Sequence, residues 1–113
     1  MNGLSVRTAA QGDRAARRLD AIIETVGAAG LPTQARVLRA VRAELGKLAA
    51  RCAREPEAVT AAEIRDAMAT LSTAAEMSAG ELREAGLEDA WPVVKGVAEV
   101  LVAICQDAAT RVP

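Results

Sequence analysis

From Trp91 to Val112 the chain carries an apolar arc too wide for a surface helix. Placed at about 100° per residue, Val93, Val94, Val97, Val100, Leu101, Val102, Ile104 and Cys105 cover roughly 200°, and only Lys95, Glu99 and Gln106 form a clearly polar strip. An amphipathic surface helix presents a stripe a little over about 100° wide. The stretch therefore needs neighbours on more than one side. Valine and isoleucine also favour strands, but the alternation of a half-buried strand is missing and the run is too long for one. The pattern predicts a central C-terminal helix with the earlier segments packed around it.

Those earlier segments read as three further helices. The first is firmest from Asp13 to Ala28, where Leu19, Ile22, Ile23 and Val26 recur at helical spacing, and residues 1–12, with two glycines and no sustained pattern, are expected to form a frayed entry. Gly27, Gly30 and Pro32 end it in a link short enough for an antiparallel hairpin. The second, capped by Thr33, runs to about Ala53, and Glu55-Pro56 stops it. Val37, Leu38, Val41, Leu45, Leu48 and Cys52 share one face of it, with Arg36, Arg39, Arg42, Lys47, Arg51 and Arg54 on the other side. The third starts at a Thr60-x-x-Glu63 capping box flanked by the apolar pair Val59 and Ile64. A second box, Ser78 to Glu81 with Met77 and Leu82, predicts a distortion or break near Met77. Gly86 stops this helix, Asp89 caps the last one and Pro92 falls in its first turn, where a missing N–H costs little.

The side chains available to fill such a bundle are small. Twenty-seven of the 113 residues are alanine, tryptophan occurs once, and phenylalanine and tyrosine are absent. Leucine, isoleucine and valine make up about a fifth of the chain, close to the lower limit for folded domains. Alanine buries little surface but is the best helix former. The expectation is an all-α, antiparallel four-helix bundle, one domain over residues 1–113, whose thin core is finished by a second copy.

Composition narrows the function classes. The chain has no histidine, which removes Ser-His and Cys-His nucleophile pairs, the usual metal-bound water sites and di-iron Glu-x-x-His motifs. No catalytic residue, cofactor or metal is assigned. Cys52 and Cys105 lack metal-ligand spacing and lie on apolar faces, where they read as buried small residues. No apolar run reaches membrane-spanning length and no secretory signal is visible, so a cytoplasmic location is expected. Twelve arginines against two lysines carry the bias of a GC-rich genome, which tempers any role given to a single arginine.

Charge is divided along the chain. Residues 1–54 hold ten Arg or Lys and four Asp or Glu, net +6, whereas residues 55–113 hold four and eleven, net −7. Opposite hairpins of this kind support one another electrostatically, or offer a basic face to an acidic partner. The sequence therefore favours a non-enzymatic protein–protein interaction module, a homodimeric adaptor, accessory or regulatory subunit, contacting its partner through Trp91, Val94, Leu101 and Val102. Trp91, at a helix entrance, suits either a plug for the bundle end or a partner anchor. The alternative is a small regulatory nucleic-acid-binding protein using Arg36, Arg39, Arg42, Lys47 and Arg51. A pI near 5.5 and the lack of stacking aromatics weigh against it.

Overall fold

The computed structural model describes residues 3–113 and contains four helices: α1 (Gly3–Ala28), α2 (Pro32–Arg54), α3 (Ala61–Glu84) and α4 (Trp91–Ala109). A single 3-10 turn, Pro56–Ala58, lies between α2 and α3. Each helix packs antiparallel on the next and α4 closes back on α1. Packing is densest within the α1/α2 and α3/α4 hairpins and sparser along the two seams between them. The particle measures 44 × 23 × 18 Å.

Both hairpins turn on a glycine. Gly30 and Gly86 adopt φ of +81° and +82°. Around each, the amide two positions past the cap donates to the carbonyl five residues back (Leu31 to Val26, 3.3 Å; Leu87 to Leu82, 3.0 Å). The glycine amide donates three residues back, to Gly27 at 3.1 Å and Arg83 at 3.1 Å. These are Schellman endings, which need a left-handed residue after the cap. A side chain there would be strained, so Gly30→Ala and Gly86→Ala are each expected to lower the unfolding free energy by about 1 kcal/mol in urea titrations. No loss at either position would contradict this account of the turns.

Helix starts follow the sequence less uniformly. The Thr60 box forms as expected: the Glu63 amide donates to Thr60 Oγ1 at 3.1 Å and the Thr60 amide to Glu63 Oε1 at 3.5 Å, with Val59 and Ile64 buried beneath. Thr33 and Asp89 do not cap. Instead α2 begins at Pro32 after Leu31, and α4 at Trp91 after Ala90, neither with a side-chain cap bond. In both, a proline in the first turn has its φ already set for a helix and no amide needing a cap. The second box is also unused. α3 passes unbroken through Ser78, which is buried, because Leu71, Ala75, Ala79 and Leu82 on either side form one buried face that a break would expose.

The expected frayed entry is helical from Gly3 onward, and residues 1–2 lie outside the described residues. Leu4, Ser5, Thr8 and Gly12 form a buried strip continuous with Ala15, Ala16 and Leu19. Ser5 Oγ donates to the Pro56 carbonyl at 3.0 Å, fastening the start of α1 to the link after α2. Apart from Leu4, the residues of this strip before Ala15 are serine, threonine and glycine, which do not register in a hydrophobic pattern.

Leu19, Leu38, Leu45, Ile64, Met68, Leu82 and Leu101 are fully buried with Val26, Val59, Val94 and Val97, and alanines wall the space between them. α4 lies between α1 and α3 as one of a ring of four helices rather than at the centre, and it buries Val94, Val97, Ala98, Leu101, Ile104 and Ala108 while Val93, Val100, Val102 and Cys105 at the edges of its apolar arc are half-buried. A second copy is not needed to finish this core. Close helix approach replaces bulk: a Cβ on Gly12 would stand only 3.3 Å from Ala49 Cβ.

Candidate interaction surface

The residues expected to meet a partner are largely consumed by the fold. Val94 and Leu101 have no exposed surface and are core residues, which corrects their assignment to an interface. Val102 is half-buried at the flank of α4. Trp91 is also half-buried at the bundle end, where its indole N–H donates to Glu88 Oε2 at 3.0 Å and the Arg83 guanidinium sits 4.9 Å from the ring centre. Both contacts hold the ring against its own chain, as a plug does.

The basic face of α2 is partly neutralised. Arg42 donates to both carboxylate oxygens of Asp20 on α1, at 2.8 and 3.3 Å. Arg51 reaches Glu63 on α3 at 3.0 Å, and Lys47 lies 3.4 Å from Glu44 one turn away. Arg36 and Arg39 are exposed and make no ion pair among the described residues. Among the described residues two ion pairs join the hairpins, Arg51–Glu63 and, at 2.6 Å, Arg7–Asp107. Glu76 takes Lys95 and Glu81 takes Gln34 rather than any arginine.

Two of these pairs carry a pH dependence. Hydrogen bonding to Arg42 holds the Asp20 carboxyl below the usual carboxylate range, and hydrogen bonds from Arg51 and the Thr60 amide do the same for Glu63. A carboxyl whose pKa is lower folded than unfolded adds stability above the unfolded value, and that stability is lost as pH falls through the folded one. Stability is therefore expected to hold from neutral pH to about 5 and to fall below about 4. In an Arg42→Ala/Arg51→Ala variant the acid decline should be shallower. Urea midpoints collected across the acid range measure both slopes, and equal slopes would refute the assignment. Burial, in contrast, pushes the Cys52 thiol up, away from the reactive thiolate. Cys105 Sγ lies 3.4 Å from the Arg65 carbonyl oxygen.

The surface offers a groove of about 520 Å³ between α1 and α2, lined by Val6, Ala9, Ala49 and Ala53, and another on the outer face of α2 and α3. The second, of about 440 Å³, is floored by Leu48, Ala67 and Leu71 and edged by Glu44, Lys47, Arg51, Glu63 and Thr70. The Arg51–Glu63 and Gln34–Glu81 contacts fix the register of the two helices and bring Val37 level with Met77. Val37 is 38% and Met77 63% exposed; Val6 on α1 is the other large hydrophobic side chain exposed among the described residues. The sequence assigned Val37 to the core stripe and Met77 to a staple. Their positions one step off the Leu38-Val41-Leu45 and Leu71-Ala75-Leu82 lines were the available signal.

Among the described residues no group of three or more Cys, Asp or Glu is placed to hold a metal ion, and no helix is long and apolar enough to cross a membrane. No protein-family model, curated protein or solved structure matches the chain.

Proposed function

We propose that the protein is a non-enzymatic helical protein–protein interaction module, an adaptor, accessory or regulatory subunit, that works through the α2/α3 face. The observation carrying this reading is the exposure of Val37 and Met77 at one level of the α2/α3 face, about 10 Å along the helices from a groove with an apolar floor. Helical partners are commonly received by such grooves, their apolar residues entering between two helices while charges line the rim. The rest of the surface supports the same reading. The guanidiniums of Arg42 and Arg51 are engaged within the chain, and the missing histidine leaves no ordinary acid–base or nucleophile pair.

The test is capture from an extract of the source cells with wild-type protein and with a Val37→Glu/Met77→Glu variant as baits. Both substitutions are at exposed positions, and circular dichroism checks that the variant is folded. At least one captured protein is expected to fall about tenfold or more with the variant, as for loss of an interface anchor. Identical capture by the two baits would sink the reading. Steeply salt-dependent retention on DNA, lost in an Arg36→Ala/Arg39→Ala variant, would replace it with the nucleic-acid alternative.

A further inference from the structure

We infer that the α2/α3 face receives a second copy of this chain about a twofold axis parallel to the helices, with α2 of each protomer lying over α3 of its partner. The inference rests on the interaction-module reading and names its partner. It follows from how charge is distributed across the face. The α2 bank carries Arg36, Lys47 and Arg51 with one acid, Glu44, and the α3 bank carries Glu63, Asp66 and Glu81; within the chain Lys47 is shared with Glu44, Arg51 with Glu63 and Asp66 with Arg65, whereas Arg36 makes no ion pair among the described residues. Val37 and Met77 stand exposed on the same face, and the groove floor is apolar.

Two symmetric ways exist to place this face on itself. A twofold axis perpendicular to the helices sets α2 on α2 and α3 on α3, so that basic meets basic and acidic meets acidic. A twofold axis parallel to them preserves height along the bundle and sets each basic bank on an acidic one. Since Gln34 stands level with Glu81 and Arg51 with Glu63, heights on the two helices are related residue by residue. Arg36 then arrives within one turn of Glu81 of the partner subunit, and Lys47 stands opposite position 67, next to Asp66 of the partner subunit. Val37 meets the level of Met77 of the partner subunit, and the reverse contact follows by symmetry. Like charges placed across an interface are strongly disfavoured and opposite ones fix its register, so the parallel twofold is selected.

The size of the face sets the strength. Residues 34–51 span about 25 Å of helix, and two helices side by side are about 20 Å wide. A twofold contact over that patch buries about 1,000 Å² in total, at the lower edge of specific interfaces. The association is therefore reversible and weak, with dissociation constants of roughly 10 μM to 1 mM.

Sedimentation velocity on the full chain across that concentration range tests the proposal. A monomer–dimer equilibrium is expected, weakened about tenfold or more by Met77→Glu. The deciding measurement uses Arg36→Glu and Glu81→Arg, each at an exposed position. Alone, either variant puts two like-charge pairs in its homodimer, and its dissociation constant should rise about tenfold. Mixed in equal amounts they restore two opposite-charge pairs, and the mixed dimer should return to within about threefold of wild type. A monomer throughout the range, a dimer indifferent to Met77→Glu, or a mixture no tighter than its components overturns the inference. If the mixture fails while the Val37→Glu/Met77→Glu bait still loses a captured protein, the face serves a different partner and only self-association is wrong.

Discussion

Leu101→Ala is expected to lower the unfolding free energy by about 3 kcal/mol, within the range for deleting a fully buried leucine. The loss has two parts, the transfer of the removed methyl groups and the cavity left when neighbours relax only partly. Leu101 has no exposed surface and sits on α4, which packs against α3 on one side and α1 on the other. A domain of this size has about 5–15 kcal/mol to lose, so the substitution removes a large fraction of it and should lower the melting temperature by about 10–15 °C. Val102→Ala, one residue on and half-buried at the flank, is the internal control and should cost about 1 kcal/mol or less. Urea and thermal unfolding of the two variants at a fixed, low protein concentration provide the comparison. A Leu101→Ala loss no greater than that of Val102→Ala would mean that α4 does not occupy the interior.

That contrast also marks what could be read from the residues alone. The Thr60 box and Gly86 stop bounded α3, because each rests on local chemistry that tertiary packing had no reason to override, whereas the α4 arc was read too wide: Val93, Val100, Val102 and Cys105 at its edges are only half-buried, and α4 is one of a ring of four helices rather than its centre. Other features depended on context. A threonine and an aspartate capable of capping, Thr33 and Asp89, were bypassed where prolines set the helix starts. Ser78 resembles a cap in sequence, yet it faces inward on a helix held continuous by burial on both sides. The α1 entrance was invisible because its buried strip holds one large aliphatic, Leu4, beside serine, threonine and glycine. The candidate surface was harder still: Val37 and Met77 each look like ordinary members of an apolar stripe, and only the register of α2 on α3 brings them to one level. Assigning Val94 and Leu101 to an interface followed from a mistaken premise, that so few large aliphatics need a second chain to cover them. The alanines answer that need by drawing the helices together.

Alanine as a spacer carries its own expected result. Lys95 lies 3.7 Å from Glu76 and Cys105 Sγ 3.4 Å from the Arg65 carbonyl oxygen, so α3 and α4 run antiparallel, and Ala98, on the same side of α4 as those two residues, faces α3 near the level of Ser72. Ala98 has no exposed surface, and Ser72 is buried as well. Ala98→Leu adds three carbons where no surface is open to them, and the α3/α4 seam must widen or side chains must leave their rotamers, at a cost of about 1–3 kcal/mol. Leucine and alanine are both strong helix formers, so the loss cannot come from propensity. If large aliphatics were what the core lacked, the same substitution would stabilise the protein by burying more apolar surface. The sign of the change in urea midpoint therefore separates a core closed by small residues from one left underfilled. A wider seam also predicts where the damage appears: amide hydrogen exchange should accelerate along α3 and α4 while α1 and α2, in the other hairpin, keep their protection.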